Sequence, residues 1–200
     1  MIHFGDLEGE VGGTMSMDRL HVEWLLRVLQ ELEPRCVVEI GCWKGVSTTA
    51  IAEAHRAGYV DEVHLIDIDI KPTVRQLAEA GGFTVHQMRS VEALPLIQAR
   101  GDVLVVVDGD HSLACVRDEL PALMELQPSV IVAHDVTAEA AGYGECDGAR
   151  WLWEQVQSWG WHCTVDCRRR DGASTHRGLL IACRDELDAE LVREQLACLD

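Results

Sequence analysis

The chain is poor in basic residues. Its 200 residues include 17 Lys and Arg against 34 Asp and Glu, which gives a formal net charge of -17 at pH 7. A protein that binds DNA or RNA through its phosphates needs a basic surface, and this acid excess repels a polyanion. Anionic membrane surfaces are disfavoured for the same reason. The composition therefore predicts that neither nucleic acid nor membrane is a partner.

Long apolar runs are also missing from the sequence. No run approaches the roughly 18 residues of a membrane-spanning helix, and residues 1–8 lack the basic and apolar regions of a signal peptide. We therefore expect a cytoplasmic protein. The 48% apolar content is that of a globular protein with a large core. No linker, repeat or low-complexity segment interrupts the chain, which predicts a single domain over residues 1–200.

The eight cysteines do not indicate a disulfide scaffold. They are spread over a long chain without a secretory signal, so we expect them to remain thiols. Cys163 and Cys167 follow His162 in a C-x3-C spacing that has no second pair. That spacing favours packing as small apolar side chains over a zinc site.

Short runs rich in Val and Ile alternate with segments of helical period, which predicts a parallel sheet with crossover helices. The strand-like runs are 36–40, 62–66, 83–86, 102–107 and 129–133, and the helix-like segments between them are 46–58, 72–80, 90–99 and 112–126. A loop over 136–147 and a helix over 148–159 follow. Runs 161–165 and 178–182 are predicted to form an antiparallel pair. Helices are expected over 17–32 and 185–198.

The segment from Val37 to Ser47 is the most informative in the sequence. A strand of buried type is followed by Gly41 and Gly45 and then by a helix. Glycines let the backbone approach a ligand closely, and the helix start presents free N–H groups. A dinucleotide fingerprint reads G-x-G-x-x-G, whereas this segment reads E-x-G-x-x-x-G beginning at Glu39. The spacing therefore disfavours an NAD-dependent oxidoreductase.

This pattern resembles motif I of the class I S-adenosylmethionine-dependent methyltransferases, and the downstream elements follow in the same order. The resemblance implies that S-adenosyl-L-methionine is the cofactor, with Glu39 facing its methionine amino end. Asp67, at the tip of the second strand, is implied to accept hydrogen bonds from the ribose, with Asp69 as the alternate. The loop residues implied to bind the cofactor are Gly41, Cys42, Trp43, Gly45 and Ser47. Trp43 either packs over the cofactor or covers the core.

Polar residues follow the fourth and fifth strands, where an open parallel sheet binds its ligands. They read Asp108-Gly-Asp110-His111-Ser and Ala-His134-Asp135. Both strings resemble the small-molecule O-methyltransferases of the macrocin and novobiocin-sugar type, together with cephalosporin-hydroxylase-like proteins. This branch is related to catechol O-methyltransferase, and the resemblance covers residues 30–183.

The resemblance implies an α/β fold that is Rossmann-like and doubly wound, with a mostly parallel seven-stranded sheet and an antiparallel C-terminal strand. The cofactor-binding half is expected over 35–100 and the substrate and metal half over 101–183.

In that branch a divalent metal held at these strand ends chelates two substrate oxygens. Carried over, the metal ligands are Asp108, which also borders the cofactor, His134 and Asp135. The implied ion is Mg²⁺ or Mn²⁺, which hard oxygen ligands suit. His134 stands where relatives often carry a second acid, which leaves open a weaker site or a softer ion. Asp110 is the implied general base, with His111 nearby.

Three further segments carry open alternatives. After the third strand, Met88-Arg89-Ser90 replaces the usual Gly-acid-Ser, and Ser90 is retained as the contact to the adenine. The loop over 136–147 is either a lid over the substrate or an ordinary connection. The run 168–170 is a solvated hairpin tip or a contact to an anionic substrate.

The sequence thus predicts an S-adenosylmethionine-dependent O-methyltransferase that acts on a small hydroxylated metabolite with divalent-metal assistance. The alternative is a non-catalytic accessory protein that binds S-adenosylmethionine through the same fold. A homo-oligomer is a further state that the sequence leaves open.

Overall fold

The computed structural model describes residues 17–137, 146–166 and 177–198. Most of the predicted lid loop, the run 168–170 and Cys167 lie outside the described residues. The strands are β1 Cys36–Ile40, β2 Glu62–Ile66, β3 Thr84–His86, β4 Val103–Val107, β5 Val130–His134, β6 His162–Asp166 and β7 Leu179–Cys183. The helices are α1 Arg19–Leu32, α2 Val46–Ala57, α3 Pro72–Gly81, α4 Ser90–Ala93, α5 Leu113–Glu125, α6 Asp147–Ser158 and α7 Glu186–Ala197.

All seven strands join one sheet in the order β3-β2-β1-β4-β5-β7-β6. The pairings from β3 across to β5 are parallel, and β7 runs antiparallel to both β5 and β6. The predicted doubly wound, mostly parallel seven-stranded sheet is confirmed. The strand order reverses direction between β1 and β4, which is where open α/β sheets bind their ligands.

Both faces of the sheet are covered, which explains why β1, β4, β5 and β7 are apolar almost throughout and fully buried. Alternate residues of each strand enter different clusters, because side chains alternate across a sheet. Val37 packs with residues of α1, α2 and α7 on one face, and Val38 packs with residues of α5 and α6 on the other. The result is a three-layer arrangement with the strand ends exposed at its edge.

The predicted helix over 90–99 is shorter than expected. It consists of α4 followed by a single 3-10 turn, Leu94–Leu96. Pro95 has no backbone N–H to continue an α-helical ladder, which accounts for the tighter turn. Among the described helices, none has the length and apolarity needed to cross a bilayer.

Candidate functional site

Gly41 closes the end of β1 against the end of β4. Its φ is 86°, and a Cβ placed on it would lie 2.3 Å from the backbone oxygen of Asp108. Since backbone cannot yield to such a contact, only glycine fits. The requirement for glycine that the sequence pattern indicated is therefore a packing requirement as well as a conformational one, and it brings the glycine loop next to Asp108.

Asp67 organises the glycine loop. One of its carboxylate oxygens accepts hydrogen bonds from the backbone N–H groups of Cys42 at 2.9 Å and Trp43 at 3.0 Å. Its other oxygen accepts from the N–H of Asp69 at 2.9 Å. A carboxylate has about four acceptor positions, so three are occupied by the protein itself. The predicted ribose carboxylate thus also holds the loop that would receive the cofactor.

Trp43 is at the rim of the loop and does not cover the core. It is 39% exposed, with a left-handed φ of 41°. Lys71 lies over its ring, 5.0 Å from the ring centre, and forms an ion pair with the exposed Asp69. A strained, exposed tryptophan held in place by a cation is a feature typical of binding sites.

Glu39 is completely buried beneath the loop. Its two oxygens accept hydrogen bonds from the hydroxyls of Ser47 at 2.5 Å and Thr48 at 2.7 Å. Burial raises the pKa of Glu39 to about 7, and the two hydroxyl groups oppose that rise. Ser47 therefore contacts Glu39 directly, and Thr48, which the sequence reasoning missed, does the same from the next position of α2.

An open cavity lies between the loop and the end of β4. Its lining residues are Met17, Gly41, Cys42, Trp43, Val46, Ser47 and Asp108. Five of these seven were predicted from the sequence to bind the cofactor, and Asp108 was also predicted to bind the metal. The cavity therefore joins the two predicted halves of the site at Asp108.

Three potential metal ligands meet beyond β4 and β5. Asp108, His111 and Asp135 each offer a ligand atom within 4.8 Å of the other two. His111 Nε2 lies 3.4 Å from an Asp108 oxygen and 3.5 Å from an Asp135 oxygen. Asp135 Oδ1 is buried and has no hydrogen-bond partner among the described residues. Two carboxylates and an imidazole with spare acceptor capacity suit a divalent ion such as Mn²⁺ or Mg²⁺.

His134 contacts this cluster without belonging to it. Its Nδ1 lies 3.0 Å from Asp108 Oδ1 and 3.6 Å from Asp135 Oδ1, and its side chain is fully buried. Burial alone would lower the pKa of His134, but the two carboxylates outweigh burial and raise it. Burial likewise opposes ionisation of Asp108, yet His134 and His111 hold the pKa of Asp108 well below its usual range. His134 thus supplies a counter-charge, and the imidazole among the candidate ligands is His111.

Asp135 adopts a left-handed φ of 61°. Its backbone N–H donates to the carbonyl of Gly178 at 3.0 Å, and Arg177 lies 3.8 Å from its carboxylate. Strained backbone at a non-glycine residue persists where the surroundings hold it, and such residues concentrate at functional sites. Sequence reasoning assigned Arg177 no role in the site.

Two predicted site residues, Asp110 and Ser90, do not line the cavity. Asp110 is exposed and accepts a hydrogen bond from the N–H of Ser112 at 2.9 Å, at the start of α5. Ser90 donates its hydroxyl to the buried carboxyl of Glu119, which Cys115 also contacts at 3.2 Å. The roles of Asp110 as base and of Ser90 as adenine contact remain predictions.

His21 of α1 reaches the same region, which the sequence did not indicate. Its Nε2 lies 3.2 Å from a buried Asp166 oxygen, and its ring meets that of His134 edge-on at 5.4 Å. The isolated histidine in a helical pattern gave no signal because Asp166 and His134, which it contacts across the fold, are more than a hundred residues away. His21 links α1 and β6 to the polar end of β5.

Comparisons with known proteins bear on the fold and on the class of domain. Residues 38–136 match a family described as a methyltransferase domain. A search of curated proteins finds no sequence match. The solved structure of cofactor-bound Rv0187 from MTB is 17% identical, with 86% of this chain and 84% of that chain covered and a TM-score of 0.66.

Two further solved structures share the fold. The O-methyltransferase TomG from Streptomyces achromogenes, in complex with SAM, is 19% identical over 86% of this chain and 82% of that chain, with a TM-score of 0.64. An rRNA methylase from Streptococcus thermophilus is 10% identical over 82% of this chain and 93% of that chain, with a TM-score of 0.54. Residues 38–136 of this chain thus match a methyltransferase domain, and the chain shares the fold of these solved methyltransferase structures.

Proposed function

We propose that the protein is an O-methyltransferase for a small hydroxylated metabolite, with a divalent metal assisting the transfer. The observation that carries this proposal is the position of Asp108. It lines the cavity with the glycine loop, and it also belongs to the three-residue cluster with His111 and Asp135. A cofactor in the cavity and an acceptor at the cluster would therefore meet at one residue.

The cofactor half of the proposal rests on charge and on backbone donors. The Glu39 carboxyl lies beneath the loop and would face the methionine amino group, whose positive charge favours the ionised carboxylate. Asp67 keeps about one acceptor position for a ribose hydroxyl after its three backbone contacts. The exposed ring of Trp43 is available to cover the ligand. The loop is thus fixed before the cofactor arrives.

In the metal half, Asp108, His111 and Asp135 would hold the ion. Such an ion would lower the pKa of a coordinated hydroxyl and fix its orientation. His134 keeps Asp108 ionised, and Arg177 approaches Asp135 from the other side. The acceptor oxygen would be held in line with the methyl group, which is the main contribution an enzyme makes to a displacement of this kind. The exposed Asp110 stands one residue before His111 as a base.

The acid excess supports a small acceptor. The fold also occurs in an rRNA methylase, so the fold does not select the acceptor, but a chain of formal charge -17 is poorly suited to a polyanion. A metal ion held by the three-residue cluster at the strand ends would suit an acceptor that presents two neighbouring oxygens. Vicinal diols of sugars and of aromatic rings have that arrangement.

Metal binding and cofactor binding can be tested separately. We expect Asp135→Asn to bind Mn²⁺ at least about tenfold more weakly than the wild type, as measured by electron paramagnetic resonance. Its affinity for S-adenosylhomocysteine, measured by calorimetry, should be unchanged. Asp69→Asn is the matched control, because Asp69 is an exposed carboxylate outside the cluster. Equal Mn²⁺ affinity in the wild type and Asp135→Asn would contradict the metal site.

Turnover is measured on a panel of vicinal diols with and without a chelator. Metal-dependent formation of S-adenosylhomocysteine is the expected result. Cofactor binding without turnover on any acceptor would instead support the non-catalytic accessory role.

A further inference from the structure

A second cluster of metal-ligating side chains lies at the opposite end of the sheet from the candidate active site. Cys36 is the first residue of β1 and Glu62 the first of β2, and the two are register partners. His64 comes two residues after Glu62, so the three side chains project from the same face. Gly41 and Asp67 follow the other ends of these strands, which places the active site roughly 15 Å away. The strand pairing thus brings a thiol, a carboxylate and an imidazole together.

We propose that Cys36, Glu62 and His64 form a binding site for Zn²⁺. Each of the three residues offers one ligand atom within 4.8 Å of the other two. A tetrahedral zinc ion with bonds of about 2.0 to 2.3 Å holds its ligands roughly 3.5 Å apart, so a modest side-chain movement closes the site. Thiolate, imidazole and carboxylate are the ligands that zinc takes in proteins, and a thiolate selects it over Mg²⁺ or Ca²⁺.

Burial around the cluster fits a three-ligand site with one open position. Cys36 is fully buried and the His64 side chain is 8% exposed, whereas the Glu62 side chain is 45% exposed. The ion would therefore enter past Glu62, which has room to rotate, and a water would complete the tetrahedron. The backbone of the two buried ligands is fixed by strand pairing, so movement of side chains alone would close the site.

His86 provides the outer contact that zinc-binding histidines use. Its Nε2 lies 3.1 Å from His64 Nδ1, and the two rings stack with centres 5.4 Å apart. A metal-binding imidazole usually donates its second ring N–H to an acceptor, which fixes the ring and its tautomer. Without an ion, His64 Nε2–H donates to the Glu62 carboxylate 2.8 Å away, and His64 Nδ1 accepts from His86 Nε2–H. An ion would take the place of the hydrogen on His64 Nε2, and His64 would then carry its proton on Nδ1 and donate it to His86, whose own proton moves to its other ring nitrogen. The third strand, β3, thus takes part in the site through His86.

Zinc binding would displace one proton from the thiol. Burial, with a smaller contribution from Glu62, raises the pKa of Cys36 to about 12, so the thiol is neutral until an ion binds. The Zn²⁺ ion forms a bond to sulfur, and the thiol proton leaves to solvent. The bound ion would join the first residues of β1 and β2.

The test uses the reduced, metal-free full chain titrated with Co²⁺, which replaces Zn²⁺ and absorbs in the near ultraviolet when a thiolate is bound. We expect this absorption in the wild type, its displacement by Zn²⁺ and its loss in Cys36→Ala. Cys183→Ala is the matched control, because Cys183 is likewise buried, with 1% of its surface exposed, and burial raises its pKa to about 12 as well. The cluster of Asp108, His111 and Asp135 contains no sulfur, so it gives no such band.

Two variants keep the test independent of the buried cysteine. Glu62→Gln, at an exposed position, should weaken Zn²⁺ binding about tenfold or more, and His86→Asn should weaken it about 10- to 100-fold. Affinity is measured against a competing chelating dye, and circular dichroism in the presence of chelator shows that each variant is folded. A wild type without a thiolate band, a band that survives Cys36→Ala, or unchanged affinity in Glu62→Gln would overturn the proposal.

Discussion

Replacing Glu39 by glutamine tests whether the buried carboxyl lowers the stability of the folded protein when no cofactor is bound. The carboxyl is fully buried and its pKa is raised to about 7 from an ordinary value of 4.5. The unfolded chain therefore releases this proton near pH 4.5, while the folded chain retains it until about pH 7. The contribution of the Glu39 carboxyl to the free energy of unfolding is therefore fully present below pH 4.5 and is lost as the pH rises from 4.5 to about 7.

The magnitude follows from the shift. At about 1.4 kcal/mol for each pH unit, the shift from 4.5 to about 7 corresponds to a loss of about 3 kcal/mol of unfolding free energy. Glutamine has the same shape, stays neutral and still hydrogen-bonds the hydroxyls of Ser47 and Thr48. We therefore expect Glu39→Gln to match the wild type near pH 4.5 and to be more stable by about 3 kcal/mol at pH 8.

The assay is urea denaturation of wild type and Glu39→Gln at pH 4.5, 6 and 8 without cofactor. Only the difference between the two proteins is interpreted, since other groups of this acidic chain titrate equally in both. Glu79→Gln, on an exposed position of α3, is the control and should show no such divergence. A difference that stays within about 0.5 kcal/mol across the range would refute the reasoning.

The same variant should bind S-adenosylhomocysteine more weakly. The proposed contact is between the carboxylate and the methionine amino group, and loss of a charged hydrogen bond costs about 1.5 to 3 kcal/mol. Isothermal calorimetry at pH 8 measures it. If Glu39→Gln is more stable than the wild type and binds S-adenosylhomocysteine more weakly, the buried carboxylate destabilises the fold and contributes to cofactor binding.

Three further predictions concern the loop and the cluster. Gly41→Ala should lower the free energy of unfolding by about 2 to 4 kcal/mol more than Gly58→Ala. Gly41 and Gly58 have almost the same φ, 86° and 88°, but only at position 41 would an added Cβ lie against backbone atoms. Equal urea midpoints of the two variants would contradict the packing argument. Asp67→Asn should weaken S-adenosylhomocysteine binding about tenfold or more, because Cys42 and Trp43 lose a charged acceptor, whereas calorimetry of Glu79→Gln, at an exposed position of α3, should show little change. His134→Leu should cost about 3 kcal/mol at neutral pH, because Asp108 is left without its buried counter-charge, and a melting temperature equal to that of the wild type would refute that role.

The fold was predictable from local patterns. The apolar runs at β1, β4 and β5 reflect burial on both faces of a parallel sheet, and polar residues follow the runs at β4 and β5. The antiparallel pair of β6 and β7 followed from the turn between two apolar runs. The helix over 90–99 was overestimated because its apolar pattern continues past Pro95, where the α-helical ladder stops.

The site was predictable only in outline. Asp108 and Asp135 were predicted because ligands gather beyond the carboxyl ends of parallel strands, and both residues follow such ends. His134, predicted as a metal ligand, contacts Asp108 and Asp135 from the buried side. His111, predicted beside the base, completes the three-residue cluster. Their order along the chain does not show which imidazole faces the carboxylates from the open side, since that depends on how α5 and β5 approach each other.

The sequence by itself determined the strands, the glycine loop and the set of acids at the strand ends, because periodicity and turn chemistry act over a few residues. The tertiary structure decided which of those acids share a cluster, that Asp67 holds the loop, and that Glu39 is buried. It also placed Cys36 beside Glu62 and His64, and His21 beside Asp166. These pairings depend on sheet register and helix packing between distant segments, which no local pattern specifies.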